Sequence, residues 1–63
     1  MVLTTWGIII EYAGSTIARA KIVPPQVLVT VPSNASIFAG YQSREGAEAA
    51  YRTANPDAPT PIP

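Results

Sequence analysis

Cysteine and histidine are both absent from the 63 residues. Without cysteine there is no disulfide staple. Without either residue, the thiolate and imidazole ligands that zinc and transition metals favour are missing. A Ser–His or Cys–His catalytic pair is excluded for the same reason. Charge is scarce as well: 13% of residues are charged, against about 25% in an average soluble chain. The charges cancel, with Arg19, Lys21, Arg44 and Arg52 against Glu11, Glu45, Glu48 and Asp57. Four dispersed bases make a poor phosphate-binding footprint, so nucleic-acid binding is not expected. Long apolar runs are missing too. The N-terminal run ends at Glu11, too early for a secretory signal, and nothing approaches the roughly 20 apolar residues of a membrane span. The expected location is cytoplasmic, or assembled from the cytoplasm into a particle.

What is present is apolar, at 48% of the chain. A domain this small buries only about 60% of the surface its unfolded chain exposes, and chains of this size usually carry a staple. With disulfides excluded and zinc or transition metals disfavoured, an efficient small core or association with other chains remains. Zero net charge and an apolar balance suit a surface covered by neighbours better than a free monomer.

Residues 4–12 (TTWGIIIEY) and 15–23 (STIARAKIV) are rich in β-branched and aromatic side chains and read as strands. A three-residue loop, Tyr12-Ala13-Gly14, would join them as a hairpin. It pairs Ile10 with Thr16, Ile8 with Ala18 and Trp6 with Ala20, and leaves Ile9, Glu11, Ile17, Arg19 and Lys21 on the other face. Small Ala18 and Ala20 then leave room for a helix. Pro24-Pro25 ends the second strand. Residues 26–31 (QVLVTV) read as a third strand, buried on both faces or against a partner. Ala35 to Tyr41 reads as a short fourth strand that Gly40 weakens.

Ser43 reads as a helix N-cap. Arg44 to Ala54 follows as a helix, with Glu45 in the first turn, an apolar stripe Ala47, Ala50, Tyr51, Ala54, and a Glu48–Arg52 pair at i, i+4. Asn55-Pro56 stops it. The expected fold is α+β: a small antiparallel sheet of three or four strands, one short C-terminal helix, and an extended Pro-rich tail. Residues 1–55 form the domain and residues 56–63 the arm. Expected core residues are Trp6, Ile8, Ile10, Ile22, Val27, Val29, Ile37, Phe38 and Tyr51.

No residue group reads as catalytic. Ser15, Ser33, Ser36 and Ser43 lie near turns or caps, and the only lysine, Lys21, lies on a strand. Glu45 and Glu48 share an exposed helix face, which does not push two carboxylate pKa values apart. The Asn34-Ala35-Ser36 glycosylation pattern and the PxxP of Pro56 to Pro59 read as chance matches. No cofactor, metal, small-molecule substrate or enzymatic activity is expected. The expectation is a structural or assembly protein: a minor or decorating component of a bacteriophage particle, or a small homo-oligomer. A regulatory or inhibitory protein that binds a heterologous partner is the first alternative, and a weak nucleic-acid-binding module the second. Tyr12, Arg19, Lys21, Tyr41, Pro59, Pro61 and Ile62 are the expected interface residues, the last three on an arm docked on a partner.

Overall fold

The computed structural model describes residues 1–62. Strands β1 (Trp6–Ala13), β2 (Thr16–Val23) and β3 (Ala35–Tyr41) form one antiparallel sheet, in the order β2-β1-β3, and helix α1 spans Arg44–Ala54. The fold is therefore the expected α+β type. β1 is central. Its run Ile8-Ile9-Ile10 is buried on both faces, which suits a strand with neighbours on either side.

The hairpin register differs from the sequence expectation. Ile8 pairs with Ile22 and Ile10 with Ala20, four residues further along β2 than expected. Ala18 is then an extra residue, a bulge, after which Tyr12 pairs with Ile17 and Ala13 with Thr16. The loop is the two-residue Gly14-Ser15, with Gly14 at φ 67 in its first central position. Glycine there is what a type II′ hairpin turn requires. The observed register sets Ile opposite Ile and Glu11 opposite Arg19, cross-strand pairs that stabilise a sheet. Because the displacement is an even number of residues, Trp6, Ile8, Ile10 and Ala20 keep one face. Ile17 changes sides because the bulge reverses the alternation beyond it.

That face packs on α1. Ile8, Ile10, Ala20, Ile22, Ala47 and Tyr51 form the buried cluster, with Trp6, Tyr12, Ile17, Tyr41 and Ala58 packed around it. Ala20 and Ala47 are 1% and 0% exposed. Small side chains at both buried positions let the helix approach the sheet closely. The helix begins as expected: the Ser43 hydroxyl accepts from the Gly46 N–H at 3.0 Å. At its other end the Asn55 N–H donates to the Tyr51 carbonyl at 2.8 Å. The Arg52 guanidinium lies 2.9 Å from the Glu48 carboxylate, and Arg44 lies 5.7 Å over the Trp6 ring.

The opposite face carries buried Ile9 and Val23, lined by the segment 24–32. That segment is not the expected third strand. Val2 and Leu28 form a single antiparallel bridge. The Gln26 N–H donates to the Leu3 carbonyl at 2.9 Å, and Met1 and Val29 bond each other in both directions. Pro24, Pro25 and Pro32 remove donors at both ends, and Gln26 turns the chain at φ 64, so no longer ladder forms. The core expectation changes accordingly. Ile8, Ile10, Ile22 and Tyr51 are buried; Trp6, Val29 and Ile37 are half-buried; Val27 and Phe38 are exposed. Val27 lies on a covering ribbon rather than a central strand, and Phe38 lies on an edge strand.

Gly7 sits where this cover touches the sheet. A Cβ there would stand 2.5 Å from Leu3 Cδ1 and 2.8 Å from the Phe38 carbonyl oxygen. Gly7→Ala should therefore destabilise the protein by about 1–3 kcal/mol, read from the urea midpoint. An unchanged midpoint would show that residues 1–3 do not press on β1.

Candidate protein-interaction surface

The Pro-rich tail lies along its own sheet. The Tyr51 hydroxyl donates to the Pro59 carbonyl at 2.9 Å. Ala58 packs against the core, and Pro61 is buried. Ile62 runs parallel to β2 at Lys21: its N–H donates to the Ala20 carbonyl at 2.9 Å, and its carbonyl accepts from the Ile22 N–H at 2.8 Å. These two bonds satisfy outward groups of β2 that would otherwise face solvent. The tail is thus an intrachain edge cover, where the sequence pointed to an arm on a partner. Pro63, its last residue, lies outside the described residues.

Arg19, Lys21 and Ile62 come together around an open groove of about 500 Å³ between the outer face of the hairpin and the segment 24–32. Its apolar wall includes Val27 and Leu28. Arg19 is committed to Glu11, with Nε 2.6 Å from Oε2 and a second contact of 3.2 Å from Nη2 to Oε1. This hydrogen bond and the carboxylate charge raise the guanidinium pKa above its ordinary value. Lys21 is exposed and makes no ion pair among the described residues.

Tyr12 and Tyr41 lie on the helix side instead. Both are half-buried and line a smaller groove of about 230 Å³ with Phe38 and Tyr51. The Tyr12 backbone is fixed at both groups: its N–H donates to the Asn34 carbonyl at 2.9 Å, and its carbonyl accepts from Asn34 Nδ2 at 3.2 Å. Of the seven expected interface residues, Arg19, Lys21 and Ile62 therefore line one groove, Tyr12 and Tyr41 line the other, and Pro59 and Pro61 line neither, so the seven do not form one patch.

Sequence reasoning missed the most exposed apolar side chains. Leu28 is 77% exposed, Met1 60% and Val2 54%, all three on the covering ribbon, and Phe38 is 47% exposed on β3. The signal for β3 was available: Ala35–Tyr41 contains neither charge nor proline. What the signal lacked was strand order, which makes β3 an edge.

Among the described residues, no group of three or more acidic side chains could hold a metal ion, and no buried side-chain polar atom lacks a partner. Among the described residues, no helix is long and apolar enough to cross a membrane. The chain matches no protein-family model, and no curated protein or solved structure is significantly similar to it.

Tyr51 joins the helix, the core and the tail, and its chemistry makes that joint testable. Burial raises its phenol pKa above the ordinary 10.0, Arg52 opposing and Tyr12 adding to the shift. Above about pH 10 the unfolded phenol loses its proton while the folded one keeps it, so stability falls as pH rises from there towards the folded pKa. Below pH 10 this group contributes no pH dependence. Tyr51→Phe should cost about 1 kcal/mol at neutral pH through the lost Pro59 bond, and should flatten the alkaline decline. Urea titrations at pH 7 and above pH 10 would show both effects; an equally steep decline in the variant would assign it to other groups.

Proposed function

We propose that the chain is a non-enzymatic structural or assembly protein whose function is contact with other protein chains. The observation that carries this reading is an unguarded sheet edge, β3, beside half-exposed Phe38, in a molecule whose other sheet edge is covered by its own tail. Unpaired edges invite strand addition, and soluble monomers ordinarily blunt them with charge, proline or cover. The apolar ribbon of Met1, Val2, Val27 and Leu28 supports the same reading, because exposed apolar clusters mark contact surfaces. A small homo-oligomer fits these features, as does a minor or decorating component of a bacteriophage particle.

Three of the four cations have internal partners: Arg19 with Glu11, Arg52 with Glu48, and Arg44 with Trp6. That leaves little for clustered phosphate contacts, which favours a protein partner over a nucleic acid. Catalysis would need an activated nucleophile or an acid–base pair, and the serine with an assigned role, Ser43, caps a helix.

Light scattering after size exclusion, over a dilution series of the untagged chain, tests the reading. The expected result is a mass that is a multiple of 6.6 kDa at the concentrated end. A single-chain mass at every concentration would count against self-assembly.

A further inference from the structure

The two edges of the sheet are finished differently. On the β2 side, Ile62 takes the Ala20 carbonyl and the Ile22 N–H, Ala18 bulges, and Arg19 and Lys21 place charge along the strand. Each of these is a known guard against strand addition. The β3 side has no charge and no proline.

The free groups of β3 can be counted from the ladder. The Tyr12 N–H donates to the Asn34 carbonyl, just beyond the Glu11–Ala35 pair, so the even-numbered residues of β1 and β3 turn their backbone groups toward each other. The odd-numbered residues Ala35, Ile37 and Ala39 turn theirs outward. The Ala35 N–H is taken by the Pro32 carbonyl at 3.1 Å. Gly40, the extra residue of a bulge opposite Trp6 and Gly7, gives its N–H to Thr5 Oγ1 at 2.8 Å. Between these closed positions lie the N–H and C=O of Ile37 and of Ala39. None of the four has a partner among the described residues.

Resting on the assembly reading above, we propose that this edge pairs with the same edge of a second copy, antiparallel, about a two-fold axis at Phe38. Ile37 then lies opposite Ala39 of the second copy, and Ala39 opposite its Ile37. Four hydrogen bonds use all four free groups of each chain. Moving the axis to Ile37 would call on the Ala35 N–H, which is already bonded, so the register is determined. Phe38 meets Phe38 of the second copy in a non-hydrogen-bonded pair, the type with the closer Cα approach and the stronger side-chain contact. This covers an aromatic ring that is 47% exposed in the single chain. Such an interface is isologous and closes on itself. The six-stranded sheet that results, β2-β1-β3-β3-β1-β2, ends on two β2 edges, each covered by its own Ile62.

Amide exchange by NMR on the full chain tests this, at the two ends of the dilution series used for light scattering. The Ile37 and Ala39 amides should be protected when concentrated and lose that protection on dilution, while the Ile9 amide, facing β2, stays protected. Ala39→Lys places a charge at an exposed position of the interface. It should reduce the scattering mass from twice 6.6 kDa to 6.6 kDa with the circular dichroism spectrum unchanged. Should that variant not fold, the wild-type exchange data still decide. A multimer whose Ile37 and Ala39 amides exchange freely would overturn this pairing while leaving the assembly reading intact. A single-chain mass with fast exchange at both residues throughout would overturn both. Protection of the two amides only on addition of an unrelated extended peptide would identify a heterologous strand as the occupant and overturn the second copy.

Discussion

Burial of Ile8, Ile9 and Ile10 on both sides of β1 sets the condition that the other elements meet. Side chains alternate across a strand, so three consecutive isoleucines cannot be covered from one direction. Each fully buried isoleucine is worth about 1.5–3 kcal/mol, a large share of what a domain this small has available. The alanine-rich helix covers Ile8 and Ile10. The ribbon formed by the N-terminus and the segment 24–32 lies on the Ile9 side. β2 and β3 satisfy the backbone of β1 laterally.

The same geometry decides which surfaces remain open. A chain of 63 residues with one helix can cover one face and part of the other. The tail then closes one sheet edge, held by the Tyr51 hydroxyl at Pro59 and by two backbone bonds at Ile62. Among the described residues no segment lies along the β3 edge, and in the proposed pairing a second copy would supply its hydrogen-bonding partners.

The elements that could be read in the sequence were those fixed by local chemistry. Helix α1 needed only Ser43, its alanine stripe and Asn55-Pro56, and its bounds match the structure residue for residue. Strands β1 and β2 were visible in their β-branched and aromatic composition, and β3 was legible as a short strand that Gly40 weakens. The hairpin register was not, because Ala18 as a bulge and Gly14 as a turn residue are choices among near neighbours that cross-strand pairing decides. Residues 26–31 misled because an apolar run has the same appearance in a central strand and in a ribbon laid over a sheet. Of the candidate interface residues, Lys21 and Ile62 were located on the correct element, but their meeting could not be read. It depends on the tail returning to β2, a contact across some forty residues of sequence. The openness of β3 depends likewise on the strand order β2-β1-β3, which local composition does not encode.

If the exposed edge and apolar ribbon are completed by other copies, association and folding share one free energy, and the thermal midpoint must depend on protein amount. Calorimetry over a wide concentration range measures this directly. A Tm that climbs steadily with concentration is the predicted result. A Tm that is the same at every concentration, with reversible unfolding, would contradict the view that contact with further copies completes this fold.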